Sequence, residues 1–256
     1  MLLGFLRHLF PLALAVLLAP AWASPLHILV EPYPPFVVQR GLGLGGPYVD
    51  AFAQLAKQRG LVTTLESVPM RRALKAAQAA PGTCVLGVNY AAADAEVLLY
   101  VSPVAPVYIW AYSRHGANVH ADTLAGLGHY SLGVVDIPEI RQLLEGAGLR
   151  YEYLPFNGKG LQMLQASRFD VLLSDVGPEL GNAPAGTNVD RLFLVTRVER
   201  WLACNPATDP TSLAALRAGL HEGLFPEETR DIWSRYGLGS YFDTVRKEWV
   251  TSSKMP

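Results

Sequence analysis

The sequence predicts an α/β protein built from two successive β/α units, and three observations support this fold class. Short apolar segments alternate with amphipathic helical segments, which is typical of parallel sheets with crossover helices. The alternation runs to about residue 112 and then starts again. Half of the 256 residues are hydrophobic and only 17% are charged, a composition that indicates a compact globular protein and excludes a disordered chain.

The first 23 residues are predicted to be a secretory signal peptide. Arg7 and His8 precede an apolar run from Leu9 to Ala19, and Ala21-Trp22-Ala23 forms an A-x-A cleavage site. The run is too short for a membrane-spanning helix. We therefore expect a periplasmic protein, cleaved near Ala23, with 20 basic and 22 acidic residues left in the mature chain. This charge balance does not favour binding to nucleic acid.

The first predicted unit has three strands separated by two helices. In chain order its elements are strand Leu26–Val30, helix Tyr48–Ala56, strand Val62–Val68, helix Met70–Ala80 and strand Cys84–Val88. Prolines 32, 34 and 35 and a glycine-rich turn at 41–46 predict an irregular loop before the first helix. A further strand is predicted at Val107–Tyr112.

The second unit repeats the same order, so the chain is predicted to form two lobes. Its elements are strand Ser131–Val135, helix Pro138–Gly146, strand Tyr151–Leu154, helix Gly160–Ala166 and strand Val171–Ser174. A short strand at Leu202–Cys204 and a helical tail at Ser212–Tyr236, interrupted near Pro226, complete the prediction.

Cys84 and Cys204 are the two cysteines of the chain. An even number of cysteines in an exported protein favours a disulfide. The alternative is two buried free thiols, which pack as small apolar side chains.

Five stretches together resemble the bacterial extracellular solute-binding family that serves polar amino-acid importers. They are Tyr33-Pro34-Pro35-Phe36, Gly46 to Phe52, Tyr100-Val101-Ser102-Pro103, Phe169 to Asp175, and Ile232 to Gly237. The resemblance implies the type II periplasmic-binding-protein fold, with two lobes joined by two hinge strands near Val104–Val107 and Val198–Trp201. Lobe 1 would comprise 24–107 and 198–256, and lobe 2 would comprise 108–197. Both cysteines would then lie on neighbouring strands of lobe 1.

The resemblance also implies a function: a monomer that captures a small polar ligand, an amino acid or related amine or carboxylate, for an ABC importer. No cofactor, metal or catalytic residue is expected. Ligands of open α/β sheets bind at the carboxyl ends of the strands, which directs attention to the loops there. Tyr33, after the first strand, offers a ring face to a cation or flat ligand, or else it caps the lobe's own core.

Arg71 and Arg72 are candidates for a carboxylate clamp. They open a helix, where the positive end of the dipole disfavours cations unless an anion binds or solvent screens them. Arg72 is preferred, although one or both could be solvated surface residues. Asn89 and Tyr90 follow the third strand, and Asp94 stands where the family usually has the arginine that holds the ligand's carboxylate.

Two acidic residues of the second unit are further candidates. Asp136 replaces a small residue of the family's anion-binding turn, and Asp175 stands where the family has an acid that pairs with the ligand's amino group. These residues suggest a pocket that accepts cations, although Asp175 could instead cap the following turn.

Two other functions use the same fold. One is an enzyme of the cyclohexadienyl-dehydratase type, for which Glu179 and Asp175 are the nearby acids. The sequence has no nucleophile elbow, zinc helix or P-loop. The other is a ligand sensor that presents its bound form to a receptor.

Overall fold

The computed structural model describes residues 25–41, 43–154, 159–180 and 186–253. The predicted signal peptide lies outside these residues. Within them, no helix is both long and apolar enough to cross a bilayer.

Ten strands and eight α-helices make up the described chain. The strands are β1 (Leu26–Val30), β2 (Val38–Arg40), β3 (Gly43–Gly45), β4 (Thr63–Ser67), β5 (Thr83–Asn89), β6 (Leu99–Arg114), β7 (Leu132–Val135), β8 (Glu152–Leu154), β9 (Val171–Ser174) and β10 (Val189–Cys204). The helices are α1 (Pro47–Gln58), α2 (Met70–Ala79), α3 (Ala92–Ala95), α4 (Pro138–Gly146), α5 (Gly160–Gln165), α6 (Pro210–Gly219), α7 (Arg230–Arg235) and α8 (Gly239–Ser253).

One eight-stranded sheet, in the order β4-β1-β5-β10-β6-β9-β7-β8, runs through the whole molecule. At one end β1 pairs in parallel with β4 and β5, and at the other end β7 pairs in parallel with β8 and β9. The antiparallel strands β6 and β10 connect the two ends. The predicted α/β fold with two sheet-based lobes and two connecting strands is confirmed.

The connecting strands are far longer than predicted. Val107–Tyr112 and Leu202–Cys204 are segments of two 16-residue strands. The full length of these strands was not predicted, because proline and scattered charge are unusual inside a strand. Strand β6 contains prolines 103 and 106, and β10 contains several charged residues. The ladder accommodates Pro103 beside register shifts near Trp201.

The predicted C-terminal helix is divided differently. Residues 212–236 form α6, a 3-10 turn at Glu227–Thr229 and α7, and the chain then continues into α8. The predicted glycine-rich turn at 41–46 includes β3, which forms a hairpin with the preceding β2. Gly46 ends this hairpin with φ +111°, and a Cβ there would lie 2.3 Å from the carbonyl oxygen of Phe36.

The buried side chains form separate clusters on the two faces of each lobe. In lobe 1, the larger cluster joins β1 and β5 to α1, α6, α7 and α8, and a smaller cluster packs α2 on the opposite face. In lobe 2, one cluster lies under α4 and the other under α5. The lobe boundaries inferred from the resemblance stay a prediction, since the connecting strands contribute to clusters of both lobes.

The predicted disulfide is confirmed. Cys84 and Cys204 are cross-strand partners on β5 and β10, and their sulfur atoms are bonded. The bond closes a loop with a sequence separation of 120 residues that includes all of the second β/α unit.

Candidate ligand-binding site

Tyr33, Asp175 and Arg200 form a buried cluster where the two lobes meet β10. Nη2 of Arg200 lies 3.1 Å from Oδ2 of Asp175, and Nη1 donates to the carbonyl oxygen of Gly87 at 3.2 Å. The guanidinium stacks 4.4 Å from the centre of the Tyr33 ring, and the Tyr33 hydroxyl donates to Oδ2 of Asp175. The side chains of Arg200 and Asp175 are only 3% and 4% exposed.

Three different elements position this cluster. Tyr33 follows β1 in a tight turn, in which its backbone exchanges hydrogen bonds with Val37. Asp175 directly follows β9, and Arg200 lies on β10 between β5 and β6. The cluster therefore links lobe 1, lobe 2 and a connecting strand.

The protonation states follow from burial and charge. Burial, together with the negative charge of Asp175, raises the pKa of the Tyr33 hydroxyl well above its usual value, so Tyr33 remains a donor. Burial alone would lower the pKa of Arg200, but its interactions with Tyr33 and Asp175 outweigh this effect and raise it. The cluster is an ion pair with no net charge.

One oxygen of the ion pair has an unsatisfied hydrogen-bonding capacity. Oδ1 of Asp175 is buried and has no hydrogen-bond partner among the described residues. A buried carboxylate oxygen in this state is costly, so a donor group placed next to it would be stabilising.

The cluster forms part of the wall of a cavity of about 500 Å³, here called the main cavity. Its walls come from lobe 1, both connecting strands, helix α8 and lobe 2. Its aromatic side chains are those of Tyr33, Phe36, Tyr48, Tyr108, Trp110 and Tyr241. Its charged side chains are those of Asp175, Arg191, Arg200 and Glu248.

Two of these charges lie near the β6 strand. The guanidinium of Arg191 is 4.3 Å from the centre of the Trp110 ring, and the Tyr108 hydroxyl donates to Glu248. Burial and this hydrogen bond raise the pKa of Tyr108, which keeps its hydroxyl protonated. The main cavity thus has equal numbers of positive and negative groups on largely aromatic walls.

A second concavity of about 390 Å³, here called the side groove, is lined by neighbouring residues of β10. It is formed by Tyr90, Glu139, Arg197, Val198, Glu199 and Trp201. Tyr90 comes from the loop after β5, and Glu139 comes from the first turn of α4.

Solved structures with the same fold include a sensor domain and ligand-binding proteins. A histidine kinase sensor domain with similarity to periplasmic binding proteins is 17% identical over 89% of this chain and 96% of its own, with a TM-score of 0.66. An arginine transport system periplasmic binding protein from Legionella pneumophila is 16% identical over 83% and 99%, with a TM-score of 0.64. The GluR0 ligand-binding core in complex with L-glutamate is 12% identical over 85% and 100%, with a TM-score of 0.69.

This chain has the two-lobed fold of periplasmic binding proteins. No protein-family model matches the sequence, and a search of curated proteins finds no significant match. At these identities, the likeness to the binding proteins establishes the fold alone.

Within this binding-protein fold, the predicted residues fall into three groups. Tyr33 and Asp175 line the main cavity together. Tyr90 lines the side groove, and the preceding Asn89 has a buried Oδ1 with no hydrogen-bond partner among the described residues. Arg71, Arg72 and Asp136 are exposed and line neither concavity.

Residues of the chain itself occupy or pair with the positions for which the sequence analysis proposed a ligand. Oε1 of Glu31 accepts from the backbone N–H of Met70 at 3.1 Å, so an acid already occupies the start of the helix that contains Arg71 and Arg72. Asp136 pairs with Arg141 at 2.9 Å on the surface. Asp175 has Arg200 as its cation.

Arg200 and Glu139 are two of the cleft residues that the sequence analysis did not single out. Arg200 directly precedes the apolar segment Trp201 to Cys204, and an arginine adjoining a predicted buried strand is a signal that could have identified it. Glu139 in the first turn of α4 looks like an ordinary dipole-compensating acid, which gave no reason to single it out.

Proposed function

We propose that this protein is a solute-binding protein that captures a small zwitterionic ligand, an amino acid or a related compound with an amine and a carboxylate, in the main cavity. One observation carries the proposal. A cavity of about 500 Å³, with walls from both lobes, holds a buried acid with an unpartnered oxygen beside a buried arginine. This volume lies within the usual range for pockets that enclose small molecules.

The charges of the main cavity support a ligand with both signs of charge. A ligand ammonium would satisfy Oδ1 of Asp175, and a ligand carboxylate would find the guanidinium groups of Arg191 and Arg200. A ligand with charge of only one sign would pair either with Asp175 or with the two arginines, but not with both. The six aromatic rings further favour a ligand with an apolar or planar side chain.

Capture would use closure of the lobes about β6 and β10. Lobe 2 contributes Asp175 and Leu180 to the same cavity wall as Tyr33 of lobe 1. A ligand that contacts both lobes stabilises the closed form by its difference in affinity between the closed and open forms.

In this proposal the protein acts as a monomer in the periplasm, after removal of the signal peptide, and delivers its ligand to an ABC importer. The likeness to a periplasmic binding protein of an arginine transport system supports this role. The likeness to a histidine kinase sensor domain supports presentation to a receptor as the second candidate. Both roles need the same closed, ligand-bound form.

Calorimetric titration of the mature protein with single L-amino acids tests the proposal. Phenylalanine, leucine, glutamine, glutamate and arginine cover the side-chain classes, and putrescine and phenylacetate each present charge of one sign only. We expect saturable binding of at least one zwitterion, with apolar side chains preferred. Putrescine and phenylacetate should bind more weakly. Binding of putrescine or phenylacetate as tight as that of every amino acid would contradict the proposal.

Asp175→Asn is the diagnostic variant because it keeps the shape and removes the negative charge. It should weaken binding of the amino acid by about tenfold or more, since hydrogen bonds to charged groups are the strong ones. Asp122→Asn, an exposed position outside both concavities, is the matched control. Incubation with prephenate or arogenate, followed by NMR, tests the enzyme alternative. Turnover by the purified protein would show that its function is catalysis and not capture of a ligand.

A further inference from the structure

The side groove is a second candidate site, built differently from the main cavity. Lobe 1 contributes Tyr90, lobe 2 contributes Glu139, and β10 contributes the floor from Arg197 to Glu199 and Trp201. Trp201 directly follows Arg200, so adjoining residues of one strand line the two concavities.

Aromatic side chains form one wall of the groove. The ring centres of Tyr90 and Tyr100 are 5.0 Å apart, and those of Tyr100 and Trp201 are 5.9 Å apart. The Tyr100 hydroxyl holds this wall in place, because it donates to the carbonyl oxygen of Asn89 and accepts from the N–H of Ala91. Tyr90 is 47% exposed, so part of its ring is accessible from the groove.

Glu139 supplies a charge opposite this wall. Its Oε2 is buried and has no hydrogen-bond partner among the described residues. Burial raises the pKa of Glu139, and its own backbone N–H and the charge of Arg200 offset this effect only in part. Glu199 adds a second acid to the groove, and Arg197 is its single cation, so the lining has a net negative charge.

We propose that the side groove binds the primary ammonium group of a small organic cation, with Glu139 as its counter-ion and Tyr90 and Trp201 as aromatic contacts. A cation next to aromatic faces is attracted by the ring quadrupole. The unpartnered Oε2 requires a hydrogen-bond donor as well as a positive charge. A primary ammonium has three N–H donors, whereas a quaternary ammonium has none. The lining of this site shares no residue with the main cavity proposed for the zwitterion.

The test uses two monovalent cations that differ in their donors. Titration of the mature protein with n-butylammonium should give saturable binding at concentrations up to about 10 mM, and tetramethylammonium should bind at least about fivefold more weakly. Glu139→Gln should reduce the affinity for n-butylammonium by about tenfold or more, because the charge is lost while the shape is kept. Trp201→Leu should weaken binding of both cations.

Two further variants separate this site from the main cavity. Asp122→Asn, an exposed position outside both concavities, should leave the affinity for n-butylammonium within about twofold. Asp175→Asn should reduce this affinity less than Glu139→Gln does. A loss of n-butylammonium binding in Asp175→Asn with full binding in Glu139→Gln would place the cation in the main cavity and overturn the inference. Absence of saturable binding in the unmodified protein, or equal affinity for both cations, would also overturn it. None of these outcomes depends on whether an amino acid binds in the main cavity.

Discussion

The two lobes share a topology but differ in how they are held together. The larger cluster of lobe 1 is rich in aromatic residues, including the stacked pair of Phe225 and Trp233 with ring centres 4.4 Å apart, and the lobe contains the disulfide. The buried members of the cluster under α4 in lobe 2 are all aliphatic or alanine. Because buried aromatic area and a cross-link both add stability, lobe 1 is expected to be the rigid platform. Lobe 2, whose buried aromatic residues Tyr112 and Phe169 lie in its smaller cluster, is then expected to open more readily.

Removal of the disulfide should have the largest effect on the difference in stability between the two lobes. In the chain-entropy description, a cross-link over about 120 residues stabilises the folded protein by about 4 to 5 kcal/mol. The variant Cys84→Ala/Cys204→Ala should therefore lose most of that amount in urea unfolding followed by fluorescence. Reductant should lower the midpoint of the unmodified protein and leave that of the double variant unchanged. Equal midpoints for the two proteins would show that the cross-link does not distinguish the lobes.

The ion pair between Asp175 and Arg200 is expected to have the next largest effect, because it connects lobe 2 to β10. Asp175→Leu leaves the buried guanidinium without its carboxylate and should cost about 3 kcal/mol. Arg200→Met added to this variant should restore most of the loss, since an apolar pair of similar volume often replaces a buried ion pair at little cost. A double variant as unstable as the single one would mean that packing at Asp175, and not its charge, holds the lobes together.

Matched deletions of one methyl group sharpen the comparison of the cores. Ile28 in lobe 1 and Ile140 in lobe 2 are both fully buried, and Ile→Val at either site should cost about 1 kcal/mol. Hydrogen exchange should then show faster opening of α4 and β7 in Ile140→Val, with β1 and β5 unaffected. Accelerated exchange throughout the sheet in both variants would instead indicate that the lobes open as one unit.

The smallest expected effect concerns the start of β7. The hydroxyl and backbone N–H of Ser131 donate to Asp170 at 2.7 and 2.9 Å, and these bonds lower the pKa of Asp170. A lowered folded pKa gives stability that is present above the unfolded pKa of Asp170 and is lost as the pH falls through the folded pKa. Ser131→Ala should cost up to about 1 kcal/mol at neutral pH, and less in acid. Urea unfolding at pH 7 and pH 3 measures this, and a loss of equal size at both would contradict it.

Several elements could be predicted because a single local pattern specifies them. Leu26–Val30, Pro138–Gly146 and Val171–Ser174 have the predicted bounds, since each is a continuous apolar strand or a helix that begins at a proline. Helix α8 was missed because Gly239 and a mixed polar sequence conceal its apolar face. The candidate site was predicted only in part. Tyr33 and Asp175 follow strands of different lobes, and the strand-end rule identifies such positions.

The sequence alone determined the α/β class, the repeated units and the two cysteines, because hydrophobic periodicity and residue type are local properties of the chain. Only the tertiary structure decided which charges are paired. Glu31 reaches the start of α2, 39 residues away, and Arg200 meets Asp175 across the junction of the lobes, 25 residues away. Such partners are chosen by the pairing of strands, and a buried charge must be matched wherever the fold places its counter-ion.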